Sequence, residues 1–94
     1  MGLRCGLVHD SITLATGETA TLTYRQLGLD VYGVLLNVTY DPFYVVASVS
    51  SDRLKVMITG DFIKHGSTTV VVKANDREHG SGILICIPIV ERKT

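Results

Sequence analysis

Along most of this chain apolar and polar residues alternate with a period of two, and turn residues cut the alternation into short segments. The clearest case is the last third. Leu54, Val56 and Ile58 alternate with Lys55, Met57 and Thr59, and a polar turn with Gly66 follows. Val70, Val72 and Ala74 then repeat the pattern, Asp76 and Gly80 mark another turn, and an apolar run closes the segment from Ile83 to Val90. The same reading predicts strands over Leu3–Val8, Ser11–Ala15, Thr19–Tyr24, Val31–Tyr40 and Phe43–Val49. They are separated by His9-Asp10, Thr16-Gly17-Glu18, the polar run Arg25–Asp30 and Asp41-Pro42.

No window carries the 3.6-residue period of an amphipathic helix over ten residues or more, and the many Val, Ile and Thr residues favour the pleated conformation. The chain therefore reads as all-β. Seven or eight short strands with turns at near-regular spacing predict a sandwich of two antiparallel sheets, with a small β-barrel as the alternative. Pro88 stands inside the last strand, and a strand proline sits at an edge or a bulge, so that strand is expected to be an edge strand or bulged there. Isoleucines 83, 85, 87 and 89 form one face of it. Leu84, Cys86, Pro88 and Val90 form the other, an apolar face that either a partner or the same chain must cover.

Length and composition bound these expectations. Ninety-four residues with 46% hydrophobic content make one domain, 1–94, able to bury a core. Nine basic residues balance nine acidic ones with no run of either sign, which speaks against a nucleic-acid partner. No apolar run approaches the roughly 18 residues of a membrane span, so membrane insertion is not expected. Gly2 stands where a myristoylation signal begins, but Gly6 occupies the position that signal gives to Ser or Thr.

The last third resembles the closing half of Ig-like and cadherin-like, or dystroglycan-like, modules of bacterial and archaeal surface proteins. The residues that carry the likeness are Leu54-Lys55-Val56-Met57-Ile58, Gly66, Val70-Val71-Val72-Lys73-Ala74, Asp76, Gly80 and Ile83–Val90. Ile12-Thr13-Leu14, Gly17-Glu18 and Ala20-Thr21-Leu22 are similar to the opening strands of such modules. The resemblance implies an Ig-like sandwich and, at Asp76 with Glu78, a calcium site, because an Asp in the matching place of cadherins is a calcium ligand between domains. Asp76-Arg77-Glu78 follows a different strand from the cadherin D-R-E, however. Calcium also takes six to eight oxygens, and turn chemistry accounts for Asp76 without an ion.

Cys5 and Cys86 lie near opposite ends of the chain, on strands that can be neighbours in Ig-like folds. Pairing them would close a long loop worth on the order of 4 kcal/mol. Two separate buried thiols are the competing outcome. Alternation leans that way, since Cys86 opposes the isoleucine face while Cys5 shares a face with Leu3 and Leu7. The pair also lacks the spacing of the cysteines that join central strands of Ig domains.

Catalytic motifs are missing. No serine stands in G-x-S-x-G, no glycine pattern cradles phosphate, and His9, His65 and His79 lie singly in turns that read as solvated. No His or Met follows Cys86 as a cupredoxin copper site requires. Asn37-Val38-Thr39 fits the N-glycosylation rule but falls within a strand. Tyr32, Tyr40 and Tyr44 are candidates for a sugar-stacking face, weighed against ordinary packing. The resulting expectation is a non-catalytic Ig-like module, a spacer, adhesion or protein-assembly domain of a secreted or cell-surface protein, with a protein or neighbouring domain as partner. Two alternatives are a carbohydrate-binding module and a self-associating, homo-oligomeric structural subunit inside the cell, the latter if the 94 residues are a complete protein.

Overall fold

The computed structural model describes residues 4–93 and contains eight strands and no helix among them. They are β1 (Leu7–Val8), β2 (Ile12–Leu14), β3 (Thr19–Thr23), β4 (Val34–Thr39), β5 (Val45–Val49), β6 (Lys55–Gly60), β7 (Ser67–Asp76) and β8 (Gly80–Glu91). Gly2 and Leu3, with the lipidation motif and the start of the first expected strand, lie outside the described residues. One sheet is ordered β1-β8-β7-β4, with β2 also on β8, and the other is β3-β6-β5. Two open sheets face each other, so the architecture is a sandwich and the barrel alternative falls away.

The alternation read from the sequence builds the core. Val70, Val72 and Ala74 of β7 and Ile85, Ile87 and Ile89 of β8 turn inward with Leu35 of β4, all of them fully buried. Val56 and Ile58 of β6, Val45 and Ala47 of β5 and Leu22 of β3 meet them from the other sheet. Burial of such apolar surface is the main term favouring the fold. Leu27 and Leu29 join the core from the β3–β4 loop, and Phe62 joins it from the opposite end of the sandwich.

Two expectations need correction. The sheets are not purely antiparallel, because β1 and β2 both run parallel to β8, with Leu7 beside Ile85 and Ile12 beside Ile89. Nor is β8 an edge strand or bulged at Pro88, for it lies between β7 and the β1/β2 pair. The carbonyls of Leu84 and Cys86 accept from Gly6 and His9 on the β1 side. By the two-residue period the nitrogen of Pro88 faces that side too. There it meets the break between β1 and β2, residues 9–11, where the ladder has no rung to lose.

The strand directions also set the ends of the molecule. Gly6 donates to the Leu84 carbonyl (2.8 Å) partway along β8, and Arg92 donates to the Leu14 carbonyl (2.8 Å) just past its far end. The described chain thus enters beside the middle of β8 and leaves at the pole opposite the β7–β8 turn. The longest dimension, 41 Å, matches the twelve residues of β8 at about 3.3 Å each.

Candidate functional site

The most densely connected polar cluster lies at the pole where the β3–β4 loop meets the β7–β8 turn. Asp76 ends β7, and its side chain is wholly shielded from solvent. One of its carboxylate oxygens accepts the His79 N–H (2.5 Å). The other accepts the Asp30 N–H (3.1 Å) and lies 2.7 Å from His79 Nδ1. Asp30 reciprocates across 46 residues of sequence. Its Oδ2 accepts the N–H groups of Arg77 (3.1 Å) and Glu78 (2.9 Å), and its Oδ1 accepts that of Tyr32 (2.8 Å). Each carboxylate therefore caps the other's loop. The Arg77 guanidinium stacks 3.7 Å from the Tyr32 ring centroid and closes the clamp from outside.

The electrostatics follow from this geometry. Burial pushes the Asp76 carboxyl upward, but the hydrogen bonds from the His79 ring and backbone and from Asp30 outweigh it and leave it below the ordinary carboxylate value. The same bond to Asp76 raises the His79 imidazole, against a smaller opposing effect of burial. His79 favours its charged form here, and the two groups make an ion pair with 22% of the imidazole exposed.

The calcium expectation named Asp76 and Glu78. The oxygens of Asp76 accept from N–H donors, and those of Asp30 are occupied in the same way. Among the described residues no group of three or more His, Cys, Asp or Glu side chains is placed to hold a metal. Glu78 contributes its backbone N–H to the clamp. His79 is likewise not the solvated turn residue expected. His65 comes closer to that description, being 77% exposed with its ring 3.0 Å from Glu91.

The three tyrosines stand in different settings. Tyr32 and Tyr40 flank opposite ends of β4, and Tyr40 and Tyr44 are partly buried against the core. Only Tyr32 is substantially exposed, and Arg77 covers its ring.

The face of Leu84, Cys86, Pro88 and Val90 does lie on the outside of its sheet. Leu84 and Pro88 are half-buried, Cys86 is 6% exposed and Val90 is 40% exposed. Cys86 is bonded to Cys5 as a disulfide, with Cα atoms 5.6 Å apart. The alternation argument against this pairing does not apply, because Cys5 lies before β1 begins and the bend at Gly6 interrupts the two-residue period.

Asp30 is one of five candidate carboxylates in the sequence, with Asp41, Asp52, Asp76 and Glu78, but sequence reasoning could not join it to Asp76, and it missed the role of His79. Asp76 and His79 are three residues apart in a turn, a spacing that suits a local carboxylate–imidazole pair. Asp30 sits in a polar irregular stretch, and nothing near it in sequence points to residue 76.

No protein-family model matches this chain. No curated protein matches it either. Among solved structures, the fold is similar to part of the S-layer protein rSbsC(31-844), with a TM-score of 0.59 and 24% identity over 87% of this chain. The chain spans only 12% of that protein, so the likeness concerns one segment of a much longer molecule and carries the fold.

Proposed function

We propose that this chain is a non-catalytic, Ig-like link in a cell-surface protein, a spacer and assembly module strung between neighbouring domains. The observation that carries the reading is the direction of the described chain, whose first strands run parallel to β8, so that it enters beside the middle of β8 and leaves past the far end of that strand. Modules joined in that way extend as a string. The strand order supports the Ig-like part. One sheet of β3-β6-β5 faces one containing β4-β7-β8, the arrangement of an Ig sandwich whose first strand has moved to the last. Likeness to a segment of a long S-layer protein supports the surface setting, and a disulfide suits an oxidising compartment.

Exposed apolar residues stand near both poles. Val31 and Tyr32 lie in the β3–β4 loop beside the β7–β8 turn, and Phe43 and Ile63 lie toward the other pole. These positions suit contacts between successive modules, and they favour this reading over a sugar site on tyrosines of which two are partly buried against the core. Self-association by strand addition to β8 is disfavoured, because both sides of that strand are already paired.

Small-angle scattering of one, two and three fused copies tests the proposal. The largest dimension should grow by up to 41 Å with each copy. Copies that collapse into a compact particle would remove the spacer reading.

A further inference from the structure

The geometry points to a second property, a covalent bypass that makes the oxidised module an inextensible tie under tension. Its biological use rests on the reading of the chain as a link in a string, but the property belongs to this chain alone and is measured without neighbours.

The disulfide lies at the middle of β8. Cys5 and Cys86 are 81 residues apart in sequence and joined side by side. Everything from Gly6 to Ile85, including β1 to β7 and the start of β8, lies inside the covalent loop they close. Tension entering at the first described residues reaches Cys5, crosses the two sulfurs to Cys86 and runs down the rest of β8 to the exit. The loop is off that path. Pulling on the two ends cannot draw it out, whether its residues are folded or not.

What remains on the path is already straight. Residues 87–91 belong to β8 and run along the long axis of the molecule. A strand rises about 3.3 Å per residue, and a fully extended chain reaches at most about 3.6 Å. The segment from Cys86 to Lys93 can therefore lengthen by only about 2 Å. Without the bond the tension path runs through the whole chain, and about 90 residues extend to roughly 300 Å. Because β1 and β2 lie parallel to β8, opposite pulls on the two ends then shear these short ladders along their length. The disulfide is thus placed where it removes β1, β2 and the ladders they form on β8 from the mechanical circuit.

Single-molecule force spectroscopy decides the matter. The full chain is held between DNA handles attached beyond its two ends and pulled under oxidising conditions. The contour length should stay within about 10 Å of the folded value up to handle detachment. Adding a phosphine reductant to the same molecules, or pulling the Cys5→Ala/Cys86→Ala variant, should release about 300 Å. That release is read as total contour length, so it appears even if the variant has lost its fold. A gain of about 300 Å from the oxidised chain would overturn the proposal, and so would equal contour lengths with and without reductant. Failure here leaves the scattering of fused copies untouched, and collapse of the fused copies leaves this measurement untouched.

Discussion

Asp30→Ala isolates the clamp at the β7–β8 turn. The substitution removes the acceptor for three backbone N–H groups, those of Tyr32, Arg77 and Glu78, at 2.8, 3.1 and 2.9 Å. A hydrogen bond to a charged partner is worth about 1.5 to 3 kcal/mol where water is excluded. These three lie at the rim, where water can replace part of the loss, so we take about 0.5 to 1 kcal/mol each and a total of about 2 kcal/mol. A domain of this size has about 5 to 14 kcal/mol of net stability, so the variant folds but is clearly weakened. With a urea dependence of about 1 kcal/mol per molar, the unfolding midpoint should fall by about 2 M. Amide exchange should accelerate at Tyr32, Arg77 and Glu78, while the amide of His79, bound by Asp76, keeps more of its protection. Asp30→Asn retains one acceptor oxygen and should fall between the variant and the parent. A midpoint for Asp30→Ala within about 0.3 M of the parent, with unchanged exchange at the three amides, would refute the reasoning.

Three further outcomes follow from other features. The Asp76–His79 pair gives stability a window in pH, because Asp76 is held below its ordinary 3.8 and His79 above its ordinary 6.5. Its contribution is complete between those values. It is lost as pH falls below 3.8 through the lowered Asp76 value, and lost again as pH rises above 6.5 through the raised His79 value. Glu91, held low chiefly by His65, adds to the acid limb. Urea midpoints across this range should show both limbs, and an alkaline limb that persists unchanged in His79→Gln would count against the pair. Gly60→Ala should cost about 1 to 3 kcal/mol by thermal or urea melting. A Cβ there would stand 2.5 Å from the Ala15 carbonyl oxygen, which is backbone and cannot swing aside, so a neutral variant would contradict the close approach. Pro88→Val should change stability by less than about 1 kcal/mol, since its new N–H would face the break between β1 and β2; a loss above about 2 kcal/mol would mean that the proline ring itself is needed there.

The strands were legible in the sequence because a half-buried strand writes its inward face as every second residue. Leu22, Val56, Ile58, Val70, Val72, Ala74 and the β8 isoleucines 85, 87 and 89 are the buried positions the alternation names. Boundaries were less legible where a side chain caps a turn and ends the extended conformation early. The strand expected from Val31 begins at Val34, because Asp30 binds the Tyr32 N–H and its carbonyl accepts from Gly33. The strand expected from Phe43 begins at Val45, because Asp41 does the same for Phe43 and Tyr44. Pairing between distant segments was not legible at all. Nothing local distinguishes a first strand parallel to β8 from one antiparallel to a neighbour, or joins Asp30 to the turn 46 residues away. Cys5 and Cys86 show the same limit, since alternation is informative only inside a strand.

The bulge at Leu36 bears on the solubility of the fold. β4 is the outer strand of its sheet, and such a strand ordinarily offers its free backbone groups to any passing extended chain. Here the register slips between Leu35 and Asn37, the Leu36 carbonyl accepts from the Arg53 guanidinium (2.8 Å), and the Leu35 N–H donates to the Arg53 carbonyl (2.9 Å). One residue, held at a positive φ of 60°, thereby occupies two backbone groups of this edge. An extended chain adding to β4 would first have to displace Arg53.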